Sequence, residues 1–153
     1  MTLRYRLIAF DTAHLPELTD LWITAWTKAM PAIDFESRRT WFVDHLIAMR
    51  DRGVDVICAF DAANGTMAGF VTLDSKSGHI DQLAVAPTYW AQGAALSLID
   101  EAKRRSPRLL KLEVNQDNPR AARFYEREGF TRRAASANPV SGLKTWRYEW
   151  AQN

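Results

Sequence analysis

The amino-acid sequence predicts a single α/β domain over residues 1–153, with about four helices covering a mixed, mostly antiparallel sheet of about seven strands. Seven stretches carry strand-like apolar runs, and four carry the 3.6-residue period of a helix. They follow one another in the order βααβββαβαββ, which indicates helices packed on the faces of one sheet. The chain is 47% hydrophobic and 25% charged, a composition with which 153 residues can bury a core.

The chain opens with a strand and a helix. Residues 3–10 predict the first strand. Asp11 or Thr12 can cap the following helix, which has apolar residues at helical spacing and ends at Pro31.

A second helix is predicted from about Phe35 to Arg52, and Gly53 provides its stop. Residues 54–61 and 66–74 then flank the turn sequence AANG and predict a hairpin. Residues 78–87 form a third strand-like run that ends at a proline.

The helical period returns at Gln92 and continues to Ser106. Residues 109–115 predict the next strand, a short helix follows it, and Phe130 then opens another apolar run. The tail alternates apolar and polar residues over 143–150, after the turn-forming residues NPVSG.

The short helix has well-marked ends. Asn118 is a favoured N-cap, Pro119 suits the first helical position, and Gly129 suits the close of the helix. Tyr125 lies on the apolar face and, nearly two turns on, above Asn118. An amide and a phenol are polar groups, so their position together on the inward-facing side of this helix needs an explanation.

Charge and cysteine content narrow the function classes. The net charge is only +2, and acidic residues are spread among the basic ones, so nucleic acid is not an expected partner. The single cysteine, Cys58, lies in an apolar run and is expected to be a small buried hydrophobe.

Membrane and metal signals are missing from the sequence. No apolar stretch is long enough to span a bilayer and the N-terminus lacks the pattern of a signal peptide, so we expect a cytoplasmic protein without a membrane partner. No His, Cys or paired carboxylates stand at ligand spacing, so no metal site is expected.

Small residues surround the start of the helix near Gln92. The first turn of a helix offers unpaired N–H groups, and Ala91, Gly93, Ala94 and Ala95 would let a pyrophosphate approach them. The alternative is that an alanine-rich first turn only favours the helix. Neither GxxxxGK[ST] nor GxGxxG is present.

Two segments carry a family resemblance. LAVAPTYWAQGAA resembles the V-x-P-x-x-[RQ]-x-x-G-x-[GA] loop of the GNAT superfamily of acyl-CoA-dependent N-acetyltransferases. LEVNQDNPRAARFYEREGF resembles that superfamily's L-x-V-x-x-x-N-x-x-A-x-x-F-Y-x-x-x-G-F segment. The resemblance covers roughly residues 80–130 and implies a GNAT-like fold with acetyl-CoA as co-substrate.

The resemblance also implies roles for individual residues. It assigns the pantetheine arm to the backbone of Leu83, Ala84 and Val85. It assigns the pyrophosphate to Ala91, Gln92, Gly93, Ala94, Ala95 and Leu96. Asn118 would help to place the co-substrate and Tyr125 would lie near its sulfur, which explains their inward stripe.

One position departs from the pattern. Trp90 stands where the family has a basic or amide residue, so a side-chain contact to phosphate is missing. Ala91 also replaces the first glycine of the common R-G-x-G-x-G form.

Glu113 is the candidate general base, because a carboxylate in the apolar strand LKLEV needs a reason. Glu113 lies five residues before Asn118 and twelve before Tyr125. In the superfamily group that acetylates the N-terminal alanine of a ribosomal protein, a glutamate at the same distances in sequence from the Asn and the Tyr serves as the general base. His79 and Asp81 are rivals, bulk water is another, and an outward-facing Glu113 without a catalytic role is the remaining alternative.

Together these features predict an N-acetyltransferase that moves an acetyl group to a primary amine by direct attack. The acceptor is a small molecule or a peptide N-terminus or lysine, and the sequence leaves a homodimer open. One alternative is a non-catalytic acyl-CoA-binding sensor or interaction module. The other is a transferase directed to nucleic acid, for which a more basic surface is expected.

Overall fold

The computed structural model describes residues 3–152. Its α-helices are α1 (Leu15–Ala29), α2 (Arg39–Asp51), α3 (Ala94–Arg105) and α4 (Pro119–Arg127). Its strands are β1 (Tyr5–Ala9), β2 (Asp55–Asp61), β3 (Met67–Asp74), β4 (His79–Val85), β5 (Leu109–Asn115), β6 (Thr131–Ala137) and β7 (Lys144–Ala151). The elements follow the predicted order, so the fold-class prediction is confirmed.

The seven strands form one sheet in the order β1-β2-β3-β4-β5-β7-β6. Neighbouring strands are antiparallel except β4 and β5, which are parallel and are connected through α3. The sheet is therefore mixed and mostly antiparallel, as the sequence predicts.

Helix starts differ from the predicted ones by a few residues. Asp11 caps a 3-10 turn over Thr12–His14, after which α1 begins. The second helix begins at Arg39 rather than near Phe35, because residues Glu36–Arg38 form another 3-10 turn. The Ser37 hydroxyl donates to the Asp34 carbonyl at 2.7 Å and holds this tighter turn.

Helices cover both faces of the sheet. In β2, Val56, Cys58 and Phe60 face α1 and α2, whereas the alternate residues face α3 and α4. Burial raises the pKa of the Cys58 thiol to about 12, so Cys58 is the buried hydrophobe that the sequence predicts.

Candidate active site

The sheet opens between β4 and β5. These strands pair only at His79 with Lys111 and at Ile80 with Leu112. β5 stays paired with β7 along its whole length. Residues 81–85 of β4 and 113–115 of β5 therefore border an interstrand gap, and along one edge residues 81–85 pair with no strand of the described chain.

A β-bulge in β4 lies at the point where the gap begins. Val71 pairs with Leu83 but Leu73 pairs with Ile80, so β4 holds one extra residue over this stretch. The Thr72 hydroxyl accepts from the Gln82 backbone N–H at 2.9 Å, so the bulged backbone remains satisfied. A bulge bends its strand, which explains why β4 leaves β5 here.

A cavity of about 560 Å³ occupies the gap and the space in front of α3 and α4. Most of the predicted site residues line it, although the sequence places them on four different elements. These residues are Leu83, Ala84, Val85, Ala91, Gly93, Ala94, Ala95, Leu96, Glu113, Asn118 and Tyr125.

The loop before α3 has the backbone of an anion-binding turn. Gly93 is the N-cap of α3 with φ +86°, and Ala91 has φ +61° although it is not glycine. No side chain of residues 3–152 caps α3, so the first N–H groups of this helix, which belong to residues lining the cavity, lack a side-chain partner. The left-handed backbone at Ala91 explains why the related motif has glycine at this position.

Gln92 is the predicted binding residue that does not line the cavity. Its side chain accepts a hydrogen bond from Arg4 and donates one to the Thr88 carbonyl. Its own carbonyl accepts from the Tyr5 hydroxyl at 2.9 Å. Gln92 therefore fastens the loop to β1, a role that only the tertiary structure reveals.

Trp90 contacts both sides of the gap. Its indole N–H donates to the Val85 carbonyl at 2.8 Å, on the open edge of β4. The Arg120 guanidinium carbon, from the first turn of α4, lies 3.6 Å from the centroid of the Trp90 ring. Arg120 also lines the cavity, and the sequence interpretation missed it.

Tyr125 projects from α4 into the cavity beside Phe124 and Phe130. Its side chain is buried, but its hydroxyl has no hydrogen-bond partner within residues 3–152. Every buried side-chain oxygen in that part of the chain has a hydrogen-bond partner, so a hydroxyl without a partner must be accessible to solvent. The Tyr125 hydroxyl therefore opens onto the cavity that Tyr125 lines. Burial raises the pKa of the Tyr125 phenol.

Asn118 caps α4, as predicted. Its side-chain oxygen accepts from the Ala121 N–H at 3.3 Å. Asn118 also lines the cavity, so the stripe from Asn118 to Tyr125 faces this space.

Two carboxylates flank the start of the gap. Asp81 and Glu113 each follow directly after the last paired residues of β4 and β5. Glu113 is exposed and accepts from the Thr145 hydroxyl at 2.9 Å. Asp81 approaches His45 Nε2 at 2.8 Å and accepts from the Gln82 amide at 3.0 Å.

The structure separates the rival bases. Asp81 lines both the cavity and a neighbouring depression that it shares with His45 and His79, whereas His79 lines that depression alone. His45, which the sequence analysis did not select, stacks on Trp41 and holds Asp81 from α2.

The walls of the cavity differ between the two faces of the sheet. Asp81 contacts α2, and Glu113 points away from the core side of Leu112 and Val114, so both carboxylates lie on the α1–α2 face. Tyr125 approaches from the α3–α4 face. The gap thus connects the two faces of the sheet.

The same cavity is basic along α4 and apolar along α1. Arg120, Arg123 and Arg127 of α4 line it at three- and four-residue spacing. Ala25, Trp26 and Ala29 of α1 line its other side. Such a cavity suits a ligand with anionic groups at one end.

Residues 3–152 contain neither a membrane-spanning helix nor a metal-binding cluster. None of the helices there has the length and apolarity that a bilayer crossing needs. No trio of His, Cys, Asp or Glu side chains in that part of the chain is arranged to hold a metal ion.

Sequence comparison identifies relatives over most of the chain. The Acetyltransferase (GNAT) family profile matches residues 15–130. Peptidyl-lysine N-acetyltransferase YiaC of Escherichia coli (strain K12) is 26% identical over 144 residues, covering 90% of this chain and 91% of the relative. N-alpha-acetyltransferase 30 of Schizosaccharomyces pombe is 37% identical over 81 residues, about half of each chain.

A solved structure shares the fold. The PaiA N-acetyltransferase of Thermoplasma acidophilum, determined in complex with coenzyme A, superposes with a TM-score of 0.77 at 16% identity. The match covers 98% of this chain and 100% of that one. Because the family profile spans most of the sequence and the fold agrees, this chain belongs to the GNAT family of acetyltransferases.

Proposed function

We propose that this protein transfers the acetyl group of acetyl-CoA to a primary amine by direct attack of the amine on the thioester. The interstrand gap carries this proposal, because it joins a face bearing Tyr125 to a face bearing two carboxylates. An amine and a thioester can meet in such a gap from opposite faces of the sheet.

The cavity suits acetyl-CoA along its length. The open edge of β4 at residues 83–85 offers backbone groups to the amides of a pantetheine arm, as an added strand would. The unpaired N–H groups at the start of α3 suit a pyrophosphate, and the loop residues are small. The family relative determined with coenzyme A agrees with this use.

Tyr125 would assist the departing thiol. A cysteine-like thiol has a pKa of about 8.5 and an unperturbed phenol about 10, so the phenol is the weaker acid. Burial raises the pKa of Tyr125 further, so proton transfer to the leaving thiolate becomes less favourable. We therefore assign Tyr125 the donation of a hydrogen bond to the sulfur as negative charge develops there.

Glu113 would act as general base. An alkyl amine with a pKa of about 10.4 is largely protonated at pH 7, and neutralising it costs about 4–5 kcal/mol. Glu113 stands at the start of the gap, and the Thr145 hydroxyl fixes one of its oxygens. It can take the proton directly or through water.

Asp81 is the second candidate for the base. Its contact with His45 Nε2 at 2.8 Å gives it a partner that could relay a proton away from the gap. If Glu113 is the base, Glu113→Gln should alter the pH dependence of turnover. If Asp81 is the base, Asp81→Asn should do so instead.

The acceptor is proposed to be the amine of a peptide, at a lysine or at the N-terminus. The named relatives acetylate peptidyl lysine and an N-terminal α-amine, and this chain matches the first over nine tenths of its length. Trp26 of α1, stacked on Phe35, offers an apolar wall on the face where the carboxylates lie. Small amines remain in the test panel.

The decisive experiment measures CoA release from acetyl-CoA with lysine peptides, peptides with free N-termini, polyamines and amino acids. We expect turnover with at least one peptide class and turnover about 10- to 10³-fold lower in Tyr125→Phe. Tight acetyl-CoA binding without turnover on any amine would instead favour the non-catalytic sensor.

A further inference from the structure

Trp90 and Arg120 meet across the mouth of the interstrand gap. Trp90 belongs to the loop that follows β4, and Arg120 belongs to the first turn of α4, which follows β5. Their separation of 3.6 Å between guanidinium carbon and ring centroid is that of stacked groups in van der Waals contact.

The ring of Trp90 is held in place on its other side. Its indole N–H donates to the Val85 carbonyl at 2.8 Å, so the edge of the ring is fixed to β4. A guanidinium that stacks through its face keeps the N–H donors along its edge available. Arg120 can therefore remain on Trp90 and still bind a second group in its own plane.

Among residues 3–152, Arg120 has no carboxylate partner, unlike Arg39, Arg104 and Arg105. Hydrogen bonds to carboxylates raise the pKa of Arg39, Arg104 and Arg105. Desolvation alone lowers the pKa of Arg120, so its charge is partly removed from water without an opposite charge beside it. An arginine stays protonated in such a setting, and an anion placed there would gain from its charge.

The neighbouring loop lacks a cation of its own. Residues 91–96 carry no basic side chain, and the Gln92 side chain is bound to Arg4 and Thr88. The backbone N–H groups at the start of α3 are thus the loop's own donors to an anion.

We infer that Trp90 and Arg120 form a phosphate-binding pair in which the stacked guanidinium donates to the pyrophosphate of acetyl-CoA. The inference rests on the proposed function, since it assumes that acetyl-CoA occupies this cavity. The cation comes from α4, while the loop contributes the aromatic surface on which it is stacked. Trp90 is thereby a positioning residue that holds Arg120, so its replacement of a basic or amide residue does not leave the phosphate without a side-chain donor.

The test is calorimetric titration of acetyl-CoA, without amine, into the wild type, Arg120→Gln and Arg132→Gln. Arg132 is a matched control, because its guanidinium carbon lies 4.5 Å from the Trp146 ring centroid and it does not line the cavity. We expect Arg120→Gln to raise Kd about 10- to 100-fold and Arg132→Gln to leave it within about twofold. Melting temperatures report whether each variant stays folded.

Repeating the titrations with dephospho-acetyl-CoA identifies the phosphate. This ligand keeps the pyrophosphate and lacks the 3′-phosphate, so the effect of Arg120→Gln should persist. Disappearance of the effect would move the contact to the 3′-phosphate and overturn the assignment.

The single variant Trp90→Leu and the double variant Trp90→Leu, Arg120→Gln complete a cycle that tests whether the residues act as a pair. We expect the double variant to lose little more affinity than Arg120→Gln alone, because the two side chains work through one contact. Fully additive losses would contradict the pair, and an unchanged Kd in folded Arg120→Gln would overturn the inference alone. A wild type that does not bind acetyl-CoA would overturn the proposed function as well.

Discussion

The Tyr125 hydroxyl opens onto the cavity and has no hydrogen-bond partner in the described part of the chain, residues 3–152, which makes its removal informative. Tyr125→Phe should lower turnover about 10- to 10³-fold while acetyl-CoA affinity and the fold are kept, because the lost hydrogen bond forms mainly in the transition state. Steady-state kinetics together with calorimetry measure the two quantities separately.

Tyr148→Phe provides the matched control. Tyr148 is buried, and its hydroxyl donates to the exposed Glu126 at 2.6 Å, away from the cavity lining. Its loss should reduce the free energy of unfolding by about 1 kcal/mol and leave turnover nearly intact. Wild-type turnover in Tyr125→Phe would make Tyr125 a core aromatic only.

The choice of base is a question about single carboxylates. Glu113→Gln should lower turnover near neutral pH by about 10²-fold or more, with partial recovery at high pH where the amine loses its proton unaided. The pH–rate profile of Asp81→Asn serves as the comparison. If Asp81→Asn shows this pattern and Glu113→Gln does not, the base is Asp81 with His45 beside it.

At the scale of an element, the start of α3 should decide whether an anion can bind. Gly93→Glu introduces bulk and negative charge where the helix presents its N–H groups, so acetyl-CoA binding should be abolished. Calorimetry on the folded variant checks this, and unchanged affinity would remove the phosphate site.

Gly65→Glu is the control that separates two effects of Gly93→Glu, namely the added charge at the ligand site and the strain of a left-handed backbone. Gly65, in the β2–β3 turn, has φ +74°, close to the +86° of Gly93, and at either position an added Cβ would lie more than 4 Å from the atoms of non-adjacent residues within 3–152. Both variants should lose about 1–2 kcal/mol of stability from the left-handed backbone. Only Gly93→Glu should lose affinity for acetyl-CoA.

Ala91 holds the same loop at a cost in free energy. With φ +61°, it adopts a conformation that disfavours a side chain by about 1–2 kcal/mol, whereas glycine adds chain entropy to the unfolded state. Ala91→Gly should therefore be neutral or stabilising by up to about 1 kcal/mol in denaturant unfolding. Ala48→Gly, at an exposed position within α2, should cost about 1 kcal/mol, and an equal loss at Ala91 would contradict the strain.

Local rules predicted these elements well. Caps and turn residues act within a few residues of the chain, so the Asn118 cap and the AANG hairpin could be read from spacing alone. The 3-10 turn before α2 was not predicted, because it is held by a hydrogen bond from the Ser37 hydroxyl to the Asp34 carbonyl, which the apolar spacing of a helix does not reveal.

The gap between β4 and β5 could not be read in this way. It depends on a bulge that appears only when β3 and β4 are paired, and no turn residue marks it. Likewise, Trp90 and Arg120 are 30 residues apart in sequence, so only the meeting of the loop and α4 reveals their contact. Long-range contacts of this kind account for the residues that the sequence interpretation missed.

For the whole molecule, Cys58 offers a measure of global opening. The thiol is fully buried in β2, and burial raises its pKa to about 12, so a thiol reagent should react only after the sheet unfolds. Acetyl-CoA at about 100 times its Kd should slow labelling about 100-fold, because ligand binding stabilises the native state by about 2.7 kcal/mol. Rapid labelling of the native protein, or a rate unaffected by saturating ligand, would contradict this expectation.

The short β4–β5 junction has a consequence for how the protein is made. It divides the sheet along the chain, so that residues 5–85 supply one half and residues 109–151 supply the other. Every antiparallel ladder among residues 3–152 lies within one half, and during synthesis the first half emerges from the ribosome before the second. The ligand cavity lies between these halves. The first half-sheet can therefore fold in a nascent chain before the binding site is complete.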